Sequence, residues 1–189
     1  IDISSFRHRY AIDTQGYIAH NDEMIVLAFR CSTTGLDWLT NIQSSSSAWE
    51  PEIDTEQGHS GALSCIEGLC CRGEETYKPR VHTGFYNNFL AAAPTIDKHI
   101  APLLAPDQPP RKLYVVGHSL GGAIATMATC HFLLNFDWEM LPHKFIGVTL
   151  GSPKACCNSM KDVIDERLRA LRPLDKAVFC RVMRDKDIV

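Results

Sequence analysis

Ser119 stands in Gly117-His118-Ser119-Leu120-Gly121, a Gly-x-Ser-x-Gly stretch with the apolar run KLYVV (112–116) directly before it and a small-residue run (122–128) directly after. A serine hydroxyl attacks an acyl carbon when it is held clear of its surroundings and faced by donors for the oxygen that becomes charged. A sharp strand-to-helix turn supplies both. It strains the backbone at the serine, admits only residues without bulk at the flanking positions, and aims the first N–H groups of the following helix at the attacked oxygen. The positive end of the helix dipole lies behind those donors. The preceding strand and Gly122 distinguish this stretch from a glycine-rich turn with an idle serine.

Serine chemistry also needs a base, and a carboxylate to orient it. The carboxylate candidate is Asp187, in the loop leaving the last apolar strand, with Asp185 its nearest rival. Histidines suited to act as base are scarce. His99 and His131 fall in helical stretches, His143 precedes a strand, and His8 and His20 lie on or before the first hairpin. His59, in a long polar segment, is the one free to approach.

The elements that must position these groups follow from periodicity. Residues 16–20 and 24–29 form a hairpin about Asn21-Asp22 that starts the sheet. Residues 84–104 carry a helical pattern that Pro94 should kink or divide. The strand at 112–116, the turn, and a helix to about residue 135 come next, followed by a strand at 145–150. Met160, Val163, Ile164, Leu168 and Leu171 make an amphipathic helix capped by Asn158 or Ser159, and 177–183 is the last strand. Strands alternating with helices predict a largely parallel α/β sheet with ligands at the carboxyl ends of its strands. Residues 43–80, rich in Ser, Glu and Gly, are far longer than an ordinary connection and mark an insertion or functional loop.

Composition narrows the partners. With 189 residues and 45% hydrophobic content the chain forms one domain, residues 1–189, and its net charge of −3 offers no general attraction for nucleic acid. The basic residues between 161 and 186 are interleaved with acidic ones and form a solvated face. The longest apolar stretch, 123–134, is interrupted by Thr126, Thr129 and His131 and is too short to span a bilayer. Residues 1–12 carry no signal-peptide core, so a targeting segment is expected to have been removed or never present. Eight cysteines permit disulfides without requiring them. Cys65, Cys70 and Cys71 could cross-link a loop, and with His59 they lack paired zinc spacing, whereas Cys130 and Cys180 fall on apolar stretches as core residues. The compartment stays open between secreted, cytoplasmic and membrane-peripheral.

Five ordered blocks resemble the class 3 lipases: FRCSTTGLDW (29–38), VHTGF (81–85), VVGHSLGGAIATMA (115–128), LGSPK (150–154) and RVMRDKDIV (181–189). The resemblance covers most of the chain from about residue 14 to 189, with 43–80 outside it. It implies an α/β-hydrolase fold with helices on both faces of the sheet, incomplete at the C-terminal end. It also implies cleavage of acylglycerols or related lipid esters through an acyl-enzyme, at a lipid–water interface in some members, with no cofactor and no metal. Ser119 matches the nucleophile and Asp187 the acid. Ser32 matches the first oxyanion-hole residue, Leu120 the second, and Asn41 the polar position that steadies the Ser32 hydroxyl. His82 and His118 belong to family blocks as structural residues. Residues from Thr33 into the insertion, with Leu36, Trp38, Leu39, Ile42 and Trp49, are expected either to cover the site or to belong to the core.

Three departures from the family pattern stand out. Cys31 replaces a glycine beside the oxyanion hole, and Lys154-Ala155-Cys156-Cys157-Asn158 replaces the usual continuation after Gly-x-Pro. No histidine follows Asp187, so the catalytic histidine is expected beyond Val189 and the 189 residues alone are expected to be inactive. A lipase-like module that binds without hydrolysing, or an esterase for a non-lipid ester such as a feruloyl ester, remains the alternative.

Overall fold

The computed structural model describes residues 1–9, 13–31, 46–49 and 79–183. Among these, β1 (Asp2–Arg9), β2 (Asp13–His20), β3 (Met24–Phe29), β6 (Lys112–His118), β7 (Lys144–Leu150) and β8 (Ala177–Val182) form one sheet in the order β1-β2-β3-β6-β7-β8. The first two pairings are antiparallel and the remaining three parallel. The β2–β3 turn is set by Asn21, whose side-chain oxygen accepts the Glu23 and Met24 N–H groups at 2.9 Å each. The expected hairpin therefore forms, but it does not start the sheet. β1 lies outside it, with Ile3 exposed and Phe6 turned inward onto Phe29 at 5.9 Å. So short an apolar signal on an edge strand leaves no alternation to read.

The parallel strands are regular because their apolar residues alternate. Ile25, Leu27 and Phe29 of β3 and Leu113 and Val115 of β6 are buried, as is Phe145 of β7. α2 (Leu120–Asn135) packs on β3, β6 and β7 and also touches α1 (Thr83–Ile100) and α3 (Asn158–Leu171). It is buried almost all round, which its Gly, Ala and Thr content permits, with Thr126 and Thr129 returning their hydroxyls to the carbonyls of Gly122 and Ala125. Each Leu, Ile or Phe removed from water in this core contributes about 1.5–3 kcal/mol.

Two expectations about helices change. α1 runs unbroken through Pro94, and a 3-10 turn (Ala101–Leu104) follows it. Pro94 is exposed while Ala92, Ala93 and Ile96 are buried, so the packed face of the helix survives around it. The N-cap of α3 is Cys157, without a side-chain bond, because the Ser159 hydroxyl instead accepts the Arg80 N–H at 3.1 Å.

The described ends of the 43–80 segment are drawn together. β4 (Ser46–Ala48) pairs antiparallel with β5 (Arg80–His82), and the Trp49 N–H donates to the Pro79 carbonyl at 2.7 Å. Trp49 is buried against Tyr86, ring centroids 4.8 Å apart, and belongs to the core. Leu36, Trp38, Leu39 and Ile42 lie outside the described residues. Among the described residues, no helix is long and apolar enough to cross a membrane.

Candidate active site

Ser119 has φ 53° and ψ −121°, between the end of β6 and the first residue of α2. Such a backbone costs a non-glycine residue about 1–3 kcal/mol and persists only when its surroundings over-determine it. They do so here. The Ser119 N–H donates to the Leu150 carbonyl at 2.9 Å, and its own carbonyl accepts the Ala123 N–H at 3.1 Å. A Cβ on Gly117 would stand 2.1 Å from the Gly121 oxygen, and one on Gly121 would stand 2.5 Å from the Phe29 oxygen. Backbone occupies both places, so the two glycines of the motif are required by close approach. Leu120 opens α2 with its side chain buried, and its N–H, in the first turn, has no intrahelical acceptor.

The approach of Gly121 to the Phe29 and Arg30 carbonyls brings the chain leaving β3 alongside this turn. That chain continues to the half-buried Cys31; Ser32 and Asn41 lie outside the described residues. On the other flank, the register aligns His118 with Leu150 and Leu150 with Val182, so β6, β7 and β8 end on one edge. The Gly151 N–H donates to the Val182 carbonyl at 2.9 Å, and the Arg181 guanidinium donates to the Ser152 carbonyl at 2.6 Å. Gly151 needs its glycine, having φ 51°. Arg181 thus ties β8 to the loop whose first carbonyl neighbour, Leu150, holds Ser119. A cation inside the apolar stretch AVFCRVM is the sign of this tether in the sequence, where Arg181 otherwise reads as one of the basic residues of a solvated face. Asp185 and Asp187 lie outside the described residues.

The departure at residues 154–158 also acquires a shape. The His82 N–H donates to the Ala155 carbonyl, the Cys157 N–H donates to the Arg80 carbonyl, and Val81 bridges Cys156, so β5 holds this loop.

The hydrogen bonds of His82, His99, His131 and His143 are made to groups other than Ser119. His82 caps α1, its Nδ1 accepting the Gly84 N–H at 3.2 Å while its ring lies on Phe85. Burial lowers its pKa, which keeps it neutral and suited to that acceptor role. A polar residue directly before a helical pattern was the available sign of this cap. His131 bonds Asp97 at 2.9 Å and Asn135 at 2.9 Å, and His99 meets the Thr95 carbonyl. His143 accepts the Arg111 N–H, with burial the main cause of its lowered pKa. His118 is exposed at the end of β6. Among the described residues no group of three His, Cys, Asp or Glu side chains could hold a metal, and Cys65, Cys70, Cys71 and His59 lie outside them.

Comparison with known proteins extends this picture. The family model described as lipase (class 3) matches residues 26–189. The secreted mono- and diacylglycerol lipase A of Penicillium cyclopium is 32% identical over 120 residues, covering 61% of this chain and 30% of that protein. Among solved structures, lipase II from Rhizopus niveus superposes with a TM-score of 0.69 at 21% identity, over 98% of this chain and 58% of its own. The triacylglyceride lipase of Rhizomucor miehei gives 0.68 at 16% identity, over 98% and 58%. At those identities the structural likeness speaks for the fold, which is α/β-hydrolase-like. The chain spans less than half the length of the sequence relatives it matches.

Proposed function

Since the chain belongs to the class 3 lipase family, we propose that it is the nucleophile-bearing part of a serine ester hydrolase acting on acylglycerols or related lipid esters. The observation that carries this reading is Ser119 at φ 53° at the head of α2. The hydroxyl attacks the ester carbonyl as a base takes its proton. The carbonyl oxygen becomes an anion held by the Leu120 N–H and by Ser32, with Asn41 steadying the Ser32 hydroxyl. Collapse expels the alcohol and leaves the acyl group on Ser119, and water then releases it by the same steps in reverse order. The partial positive charge of the α2 N-terminus favours the anion over the neutral ester. Asp187 orients the base, an imidazole drawn from outside the described residues.

Replacing Ser119 by Ala in the protein should reduce turnover of a short-chain acylglycerol about 10⁴- to 10⁶-fold with an unchanged melting temperature. A variant that retains turnover within tenfold of the parent would overturn the assignment.

A further inference from the structure

Cys130 and Cys156 are 26 positions apart on separate elements, yet their sulfurs stand 3.9 Å from one another. Cys130 lies in the second half of α2, fully buried; Cys156 is half-buried in the loop between β7 and α3. Both backbones are fixed. The loop is held on either side of Cys156 by the His82-to-Ala155 bond at 2.9 Å and the Cys157-to-Arg80 bond at 3.0 Å, and Cys130 is locked in the helix. Rotation of the two side chains is then the motion left to bring sulfurs already in contact to the bonded separation of about 2.05 Å. Neither thiol has a part in ester hydrolysis as proposed above.

We propose that Cys130 and Cys156 are a disulfide-forming pair that staples α2 to the β7–α3 loop. The oxidant is a small-molecule disulfide such as glutathione disulfide. The partly open Cys156 loses its proton and attacks one sulfur of that disulfide, releasing one glutathione thiolate. Cys130 is kept protonated by its hydrogen bond with Cys156 and by burial, so it acts second. It gives up its proton as its sulfur attacks the Cys156 sulfur and expels the other glutathione. Two protein thiols become one disulfide, and one glutathione disulfide becomes two glutathione molecules. The staple would brace the turn from both sides, because the loop begins just after Leu150, which accepts the Ser119 N–H, and α2 begins just after Ser119. Closing this loop restricts the unfolded chain and should raise the melting temperature by roughly 5–10 °C.

The test is to equilibrate the protein with oxidised or reduced glutathione, alkylate the remaining thiols and map the peptides without reduction. The expected product is a Cys130–Cys156 linked peptide, two hydrogens lighter than its parts. Oxidation should raise the melting temperature of the parent and of Cys157→Ala, and leave Cys156→Ala and Cys130→Ala unmoved. Should Cys130→Ala fail to fold, the peptide map and Cys156→Ala still decide the matter. Recovery of Cys130 fully alkylated after oxidation, with Cys156 joined instead to Cys157 or to glutathione, would overturn the proposal.

Discussion

β6 and β8 belong to the parallel part of one sheet and each precedes in sequence a residue proposed for catalysis, but the two ends are held differently. β6 lies between β3 and β7 with Leu113 and Val115 at 0% exposure, and Ser119 follows its last residue directly. β8 pairs with β7 alone among the described residues, Val178 and Val182 are 44% and 48% exposed, and Asp187 comes five residues after Val182. Glycines pressed against backbone fix the first end. One backbone bond and the Arg181 guanidinium fix the second. Ser119, the proposed nucleophile, is therefore positioned by what its immediate neighbours lack, namely bulk, whereas Asp187, the proposed acid, follows in sequence a strand end held by that single bond and guanidinium.

Among variants that keep Ser119, the largest expected effect lies at the loosely held end. Asp187→Asn should lower kcat about 10⁴-fold while leaving the melting temperature close to the parent's, because a misoriented base costs chemistry rather than packing. If Asp185→Asn produces that loss instead, the acid sits two residues nearer β8. At the tightly held end the expected damage is to the fold. Gly117→Ala puts a methyl into the Gly121 carbonyl and should cost about 4 kcal/mol or more, seen as a large fall in the urea midpoint. Val182→Thr, on exposed β8, should stay within about 0.5 kcal/mol. Equal midpoints for the two variants would erase the contrast between the strands.

The smallest effect is a pH dependence of stability from His82 and His143. Burial holds the folded-state pKa values of His82 and His143 below the ordinary 6.5. The unfolded chain therefore takes up protons that the native state refuses. Their contribution to stability is complete above 6.5 and is lost as pH falls from there through the folded-state values. Melting temperature should decline from about pH 7.5 to about pH 5.5, and His143→Gln should flatten the slope. A slope unchanged in that variant would remove His143 from the account.

What could be read from sequence tracks the same physics. β3, β6, β7 and α2 declared themselves because buried parallel strands are short apolar runs and the turn between β6 and α2 needs Gly117 and Gly121. β1 stayed hidden because an edge strand with Phe6 as its inward anchor has little pattern to show. Pro94 misled because the rule about proline weighs the lost backbone bond, while the buried row Phe89, Ala92, Ala93 and Ile96 decides whether the helix holds. The tether formed by Arg181 is hidden in the sequence because its partner, the Ser152 carbonyl, comes from another element, whereas the His82 cap is local, made to the Gly84 N–H two residues on. The strained strand-to-helix turn at Ser119 was legible from five residues. Nothing local distinguishes Asp187 from Asp185.

The most direct test of the central claim is to treat the protein with a fluorophosphonate ester and map the adduct. A serine activated at the head of α2 should carry a single phosphonyl group, found on the peptide containing Ser119, and unfolding the protein beforehand should abolish the reaction. A folded protein left unmodified when its base-supplying residues are present, or an adduct on any other residue, would contradict the account.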